Sequence, residues 1–205
     1  MPAKSSTVMR LSHLDAYAPE AANLHVIIET PQGSRNKFDY DEEYGLFKLG
    51  GVLPAGAVFP FDFGFVPSTT GGDGDPLDVL VLMDEPAFAG CLVHARLLGI
   101  IEAQQTEDGE TTRNDRLIAV AAKARNHREM RALGELSEHL VDEIEHFFIS
   151  YNEMKGKKFV PLGRFGPERA QRVIAEGMRR FRAGQRKASG KKTQKSAGGA
   201  GRKRR

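Results

Sequence analysis

Short β-branched or alternating runs fill the first two thirds of the chain, and apolar residues at three- and four-residue steps fill most of the rest. His25–Thr30 is β-branched and stops at Pro31 and Gly33, which predicts a strand and turn. Lys37–Asp41 alternates polar and apolar like a half-buried strand, and Leu46–Leu49 after Gly45 is its expected hairpin partner. Phe59–Pro67 is aromatic and extended between prolines. Asp78–Met83, Leu92–Ile101 and Leu117–Ala122 read as buried strands, with Gln104–Arg113 a polar loop between the last two. From Leu133 through Leu136, Leu140, Ile144, Phe147, Phe148 and Tyr151 the spacing predicts one amphipathic helix. A second helix is expected near Pro167, with Val173, Ile174, Met178 and Phe181 on its apolar stripe. Strands first and helices last predict an α+β fold built on a small barrel or strongly bent sheet.

Charge divides the chain. The 205 residues carry a formal net charge of +3, but nine Lys/Arg and no acid lie in Ala183–Arg205. Removing those nine from the 30 basic residues leaves 21 against 27 acids, so Met1–Arg182 is acidic at −6. An acidic body argues against a nucleic-acid-binding fold and suits one that collects cations. We expect a single domain over 1–182 and a disordered basic tail over 183–205, which has no aromatic residue to bury and holds polyanions weakly if at all.

No apolar run reaches the ~20 residues that span a bilayer. Met1–Asp15 lacks the apolar stretch of a secretory signal, and a single cysteine, Cys91, cannot form an internal disulfide. A soluble cytoplasmic protein is the expectation. Cys91 reads as a small buried hydrophobe, the six histidines have no metal-ligand spacing, and neither Gly-Gly pair is followed by the Gly-Lys-Ser/Thr of a phosphate loop.

The most informative segment is Gly72-Asp73-Gly74-Asp75-Pro76-Leu77-Asp78. Its three carboxylates at the mouth of an apolar strand repel one another and lose hydration, and a hard divalent cation is the usual compensation. Mg²⁺ keeps several waters and binds through one or two carboxylates plus substrate phosphate, which suits an open cluster. Asp, Gly and Pro are also ordinary turn residues, so a solvated turn is the competing reading. A calcium loop is excluded, since Asp78 stands where that loop needs Gly.

Asp73-Gly74-Asp75-Pro76-Leu77-Asp78-Val79 closely resembles the signature of the soluble family I inorganic pyrophosphatases. Further matches follow in order from about Leu24 to Lys158. They are Val26–Glu29, Lys37-Phe38-Asp39, Phe59–Phe65 at the family's Tyr-Pro-x-Asn-Tyr-Gly segment, and His146-Phe147-Phe148 with Tyr151 and Lys155–Lys157. The resemblance implies a five-stranded OB-like β-barrel with flanking C-terminal helices. It also implies Mg²⁺-dependent hydrolysis of pyrophosphate with several ions per site, and assembly into a homo-oligomer. On it, Asp75 is the general base. Asp73 and Asp78 bind metal, as do Glu29, Glu107 and either Asn114 or Asp115, and Asp39 orders an outer metal or its waters. Lys37, Arg116, Tyr151 and Lys48 contact phosphate.

The chain is a divergent member by this reading. Glu107–Glu110 makes a longer acidic loop than the family's, and Asn114 stands where a metal-binding Asp belongs. Asp115 could replace it only across a bulge, because alternation puts it on the other face. Gly50-Gly51 lies where the family has an Arg, with Lys48 the nearest cation. Phe59 and Phe63 replace tyrosines, and Asn152 a lysine. Two alternatives follow: a phosphohydrolase for another phosphoanhydride on the same scaffold, and a non-catalytic polyanion-binding homologue.

Overall fold

The computed structural model of the protein describes residues 11–19 and 23–198, with side chains as far as 187. Among the described residues nine strands run β1 (Leu24–Thr30), β2 (Asn36–Asp41), β3 (Leu46–Val52), β4 (Asp62–Val66), β5 (Leu77–Leu82), β6 (Leu92–Glu107), β7 (Glu110–Arg113), β8 (Arg116–Ala121) and β9 (Lys158–Phe165). Two helices, α1 (Glu138–Glu153) and α2 (Pro167–Gly198), come late, as the α+β reading requires. Neither is long and apolar enough to cross a membrane.

Five strands close on themselves in the order β1–β4–β5–β8–β6, and β6 pairs back onto β1. Neighbours are antiparallel except β5 and β8, which run parallel with Val79 opposite Leu117. The ring strands carry Val26, Ile28, Val79, Val81, Leu98, Ile100, Ile118 and Val120, all fully buried. Each deeply buried β-branched side chain adds about 1.5–3 kcal/mol of transfer free energy. The β2–β3 hairpin stands outside the ring as a two-stranded sheet.

Where the sequence predicts a loop at Gln104–Arg113, the structure has a second hairpin. β6 continues to Glu107, turns through Asp108 (φ 50°) and Gly109 (φ 83°), and returns as β7. Two consecutive positive φ angles make the tight turn whose twist matches flanking strands, and Asp-Gly is among its preferred sequences. β9 is a further strand that the sequence reading misses. Among the described residues it pairs only with β6, and Pro161 sits beside a register shift opposite Ala103, where a missing N–H is tolerated.

The single helix expected from Leu133 is two pieces. A 3-10 turn covers Leu133–Glu135, and α1 begins only after Ser137, whose hydroxyl caps the Leu140 N–H. α2 starts at Pro167 as expected and is helical to Gly198, past the boundary expected at Arg182. Residues 199–205 lie outside the described residues. Lys, Arg, Gln and Ala are good helix formers, and residues 182–187 are helical although exposed.

Candidate active site

A cavity of about 1030 Å³ opens beside the ring and gathers residues from β1, β2, β3, β5, the β6–β7 hairpin, β8 and the end of α1. Its floor begins at the acidic loop. Thr69 donates to the Val66 carbonyl and accepts the Leu77 N–H, which fixes the loop's two ends. α2 supports it from behind: Gly177 C=O accepts the Thr70 N–H, and Arg180 Nε donates to Thr70 O at 2.9 Å. Gly177 permits that approach, because a Cβ there would lie 2.9 Å from Leu77. Within the loop Gly74 has φ 97°, and Asp73 Oδ1 accepts the Asp75 N–H at 3.2 Å.

Asp73, Asp75 and Asp78 all line the cavity. Desolvation by the concave wall and the charge of Asp78 push the Asp73 carboxyl up to about 6. Burial likewise raises Asp78, opposed by Arg116 and Lys37. Parallel pairing explains the strongest of these contacts. Asp78 and Arg116 each precede a residue of the Val79–Leu117 pair, and Arg116 Nη1 lies 2.7 Å from Asp78 Oδ2. Arg116 is buried, with its guanidinium 4.8 Å from the Phe148 ring and 5.3 Å from Phe159.

A second charged group forms the adjoining wall. Lys37 Nζ bonds Asp39 Oδ1 at 2.7 Å and Glu29 Oε2 at 3.3 Å, and lies 5.0 Å from the Phe63 ring. Burial opposes the ammonium charge, but Glu29 and Asp39 outweigh it and raise the Lys37 pKa. Burial raises the Glu29 carboxyl despite Lys37 and the Tyr40 N–H at 2.8 Å. Lys48 is an exposed cavity residue paired with Asp41 at 2.7 Å.

Glu107, Asp108 and Glu110 of the hairpin form the rim, and Lys157 holds Glu107 at 2.7 Å. Tyr151 lines the cavity with its hydroxyl 2.6 Å from Lys155 Nζ. Asn114 and Arg116 face the cavity, whereas Asp115 lies between them on the opposite side. Asp115 Oδ1 accepts the Ala103 N–H at 2.9 Å and pairs with Arg113, so its carboxylate serves the strand behind the site. Asn152, in the last turn of α1, is buried and donates to Phe148 O. Gln105 is a cavity residue that the sequence did not single out.

Among the described residues, no three His, Cys, Asp or Glu side chains converge as a ready-made metal cage. The acidic loop is instead an open set of hard oxygen donors, with one carboxyl shifted to about 6 by desolvation and by the charge of Asp78. That donor set fits Mg²⁺, which takes few protein ligands and keeps its waters.

An α+β ring whose cavity mixes clustered carboxylates with buried cations has the make-up of a phosphoanhydride hydrolase. The family model described as inorganic pyrophosphatase matches residues 26–182. The inorganic pyrophosphatase of Synechocystis sp. is 38% identical over 155 residues, covering 76% of this chain and 89% of its own. That of Halalkalibacterium halodurans is 37% identical over 165 residues, covering 80% and 99%. The crystal structure of inorganic pyrophosphatase from Thermus thermophilus superposes with a TM-score of 0.78 at 32% identity, over 85% of this chain and 99% of that one. The chain belongs to the inorganic pyrophosphatase family, a family of hydrolases.

Proposed function

We propose that the protein hydrolyses inorganic pyrophosphate to two orthophosphates with Mg²⁺. The observation that carries this reading is the one cavity that Asp73, Asp75 and Asp78 line together with Lys37 and Arg116. Pyrophosphate is a polyanion that repels nucleophiles, so the barrier falls as its charge is neutralised. Asp73 and Asp78 would hold the divalent ion, with Glu29, Asp39 and Glu107 supplying further carboxylates at the adjoining wall and rim. Bound Mg²⁺ supplies charge neutralisation and acidifies water to the point of attack near neutral pH.

The protein's own groups account for the remainder. Asp75, between the two ligands, accepts the proton of the attacking water. Lys37 and Arg116 would neutralise phosphate oxygens, and their buried positions would strengthen that attraction. Tyr151 and Lys155 act as a hydrogen-bonded pair of donors at the opposite edge. Phosphate release from pyrophosphate with Mg²⁺ tests this reading, together with Asp75→Asn, which is expected to lower kcat about a hundredfold or more. Unchanged turnover in Asp75→Asn, or faster turnover of nucleoside triphosphate or polyphosphate than of pyrophosphate, would count against it.

A homo-oligomer is part of the proposal. Leu46, Leu49 and Val52 on β3 are exposed apolar side chains that a second copy could cover. Light scattering that gives the mass of one chain would contradict it.

A further inference from the structure

Arg116, Asn114 and Gln105 form a hydrogen-bonded chain along one wall of the cavity, and chemistry fixes its direction. A guanidinium only donates, so the Asn114 atom bonded to Arg116 Nη1 is the amide oxygen. The Asn114 amide nitrogen is then the group that faces Gln105, and Nδ2 lies 3.0 Å from Gln105 Oε1. Since Nδ2 donates, Gln105 has to accept with its own oxygen. Gln105 Nε2, with its two N–H donors, is therefore the end of the chain, on a side chain that lines the cavity.

Arg116 is buried and locked against Asp78, Phe148 and Phe159, so the order set at its end is carried to the rim. Both amide oxygens already face protein donors, and neither side chain carries charge. A hard divalent cation therefore meets neutral dipoles here, with oxygens already engaged, and carboxylates at the acidic loop. An anion meets the reverse preference.

Resting on the reading of the cavity as a divalent-cation and diphosphate site, we infer that Gln105 and Asn114 form a neutral donating wall. Gln105 Nε2 donates to a phosphate oxygen of the substrate, Asn114 holds Gln105 in that orientation, and no divalent ion is ligated at Asn114. The cations of the site gather on the acidic loop.

The test counts Mn²⁺ bound per chain by electron paramagnetic resonance and measures the Kd of methylenediphosphonate by calorimetry, using the full chain. Asn114→Ala is expected to keep the Mn²⁺ count of the wild type. Gln105→Ala is expected to weaken the diphosphonate about tenfold, and Gln105→Glu further, since it sets a negative charge against the anion. Loss of one Mn²⁺ per chain in Asn114→Ala overturns the inference, as does unchanged diphosphonate affinity in Gln105→Ala. Gln105 is half-buried on a rim strand, so its variants report even where Asn114→Ala unfolds. Neither readout needs turnover, so a protein that fails to hydrolyse pyrophosphate would sink the proposed function and leave the wall decided separately.

Discussion

Arg116 is the residue on which packing and chemistry converge. It neutralises Asp78, stacks on two aromatic rings, and sets the direction of the Asn114–Gln105 chain. Truncating one partner of a buried pair leaves the other charge without compensation, at a cost of about 3–5 kcal/mol. Arg116→Ala is therefore expected to lose about that much in urea unfolding and to abolish phosphate release. Arg116→Lys keeps the charge but not the planar fork, so it should unfold more easily than wild type and less easily than Arg116→Ala. Equal stabilities for all three proteins would show that the pair with Asp78 does not hold the strand ends together.

Glu102 carries a pH dependence away from the cavity. It is buried, yet Arg113 at 2.8 Å and Arg169 at 2.5 Å hold its carboxyl below the ordinary glutamate value. A depressed folded-state pKa means stability that is present above the unfolded value near 4.5 and lost as pH falls through the folded one. Glu102→Gln should thus be less stable than wild type at pH 7, with the gap closing as pH falls below the unfolded value near 4.5. Thermal melts across that range check it, and a constant gap would assign the loss to packing instead.

At the scale of elements, α2 acts on the site through the loop it braces. Gly177→Val improves helix propensity by a few tenths of a kcal/mol, but the new side chain enters the space against Leu77 and Thr69. Overpacking of this kind costs about 1–3 kcal/mol, so the clash wins. The variant is expected to melt lower and to hydrolyse pyrophosphate more slowly, because displacement of α2 moves the Thr70 anchor of the acidic loop. A lower melting temperature with unchanged turnover would separate α2 from the site.

The same scale shows what the sequence made legible. Strands with continuous apolar runs, such as β5 and β8, were readable because both faces are buried. The acidic loop was readable because its three carboxylates are contiguous. The β6–β7 hairpin was hidden by its polar, exposed composition, although Asp108-Gly109 carries the turn signal. β9 was hidden by Pro161 and Gly163, which an edge position beside a register shift accommodates. Leu133 and Leu136 keep the helical spacing and are buried, yet they belong to a 3-10 turn and its end. Glu29, Lys37, Arg116 and Tyr151 are too far apart in sequence to be joined by spacing, and only the family resemblance singled them out before the fold brought them together. Asp115 was a ligand candidate whose place behind the site follows from strand alternation. Gln105 gave no signal in a polar stretch, and its role comes from Asn114.

Over the whole molecule, an acidic body carries a basic helical extension. His13 packs edge-on against Phe181, with ring centroids 5.3 Å apart, and Gln185 reaches His13 at 3.4 Å, so the extension is tied to the body up to that point. Truncation after Lys187 should leave pyrophosphate hydrolysis and melting temperature unchanged, and should remove any salt-sensitive binding to polyanions. A fall in hydrolysis on truncation would place part of the extension in the function.

Function on this proposal requires that one volume, between the acidic loop and the cations of β2 and β8, hold divalent metal and diphosphate together. Crystals grown with Mn²⁺ and methylenediphosphonate, with anomalous diffraction measured at the manganese edge, test this directly. The expected result is manganese between Asp73 and Asp78 and a diphosphonate against Lys37 and Arg116. Saturating ligand with no manganese at the acidic loop, or a diphosphonate bound elsewhere, would contradict it.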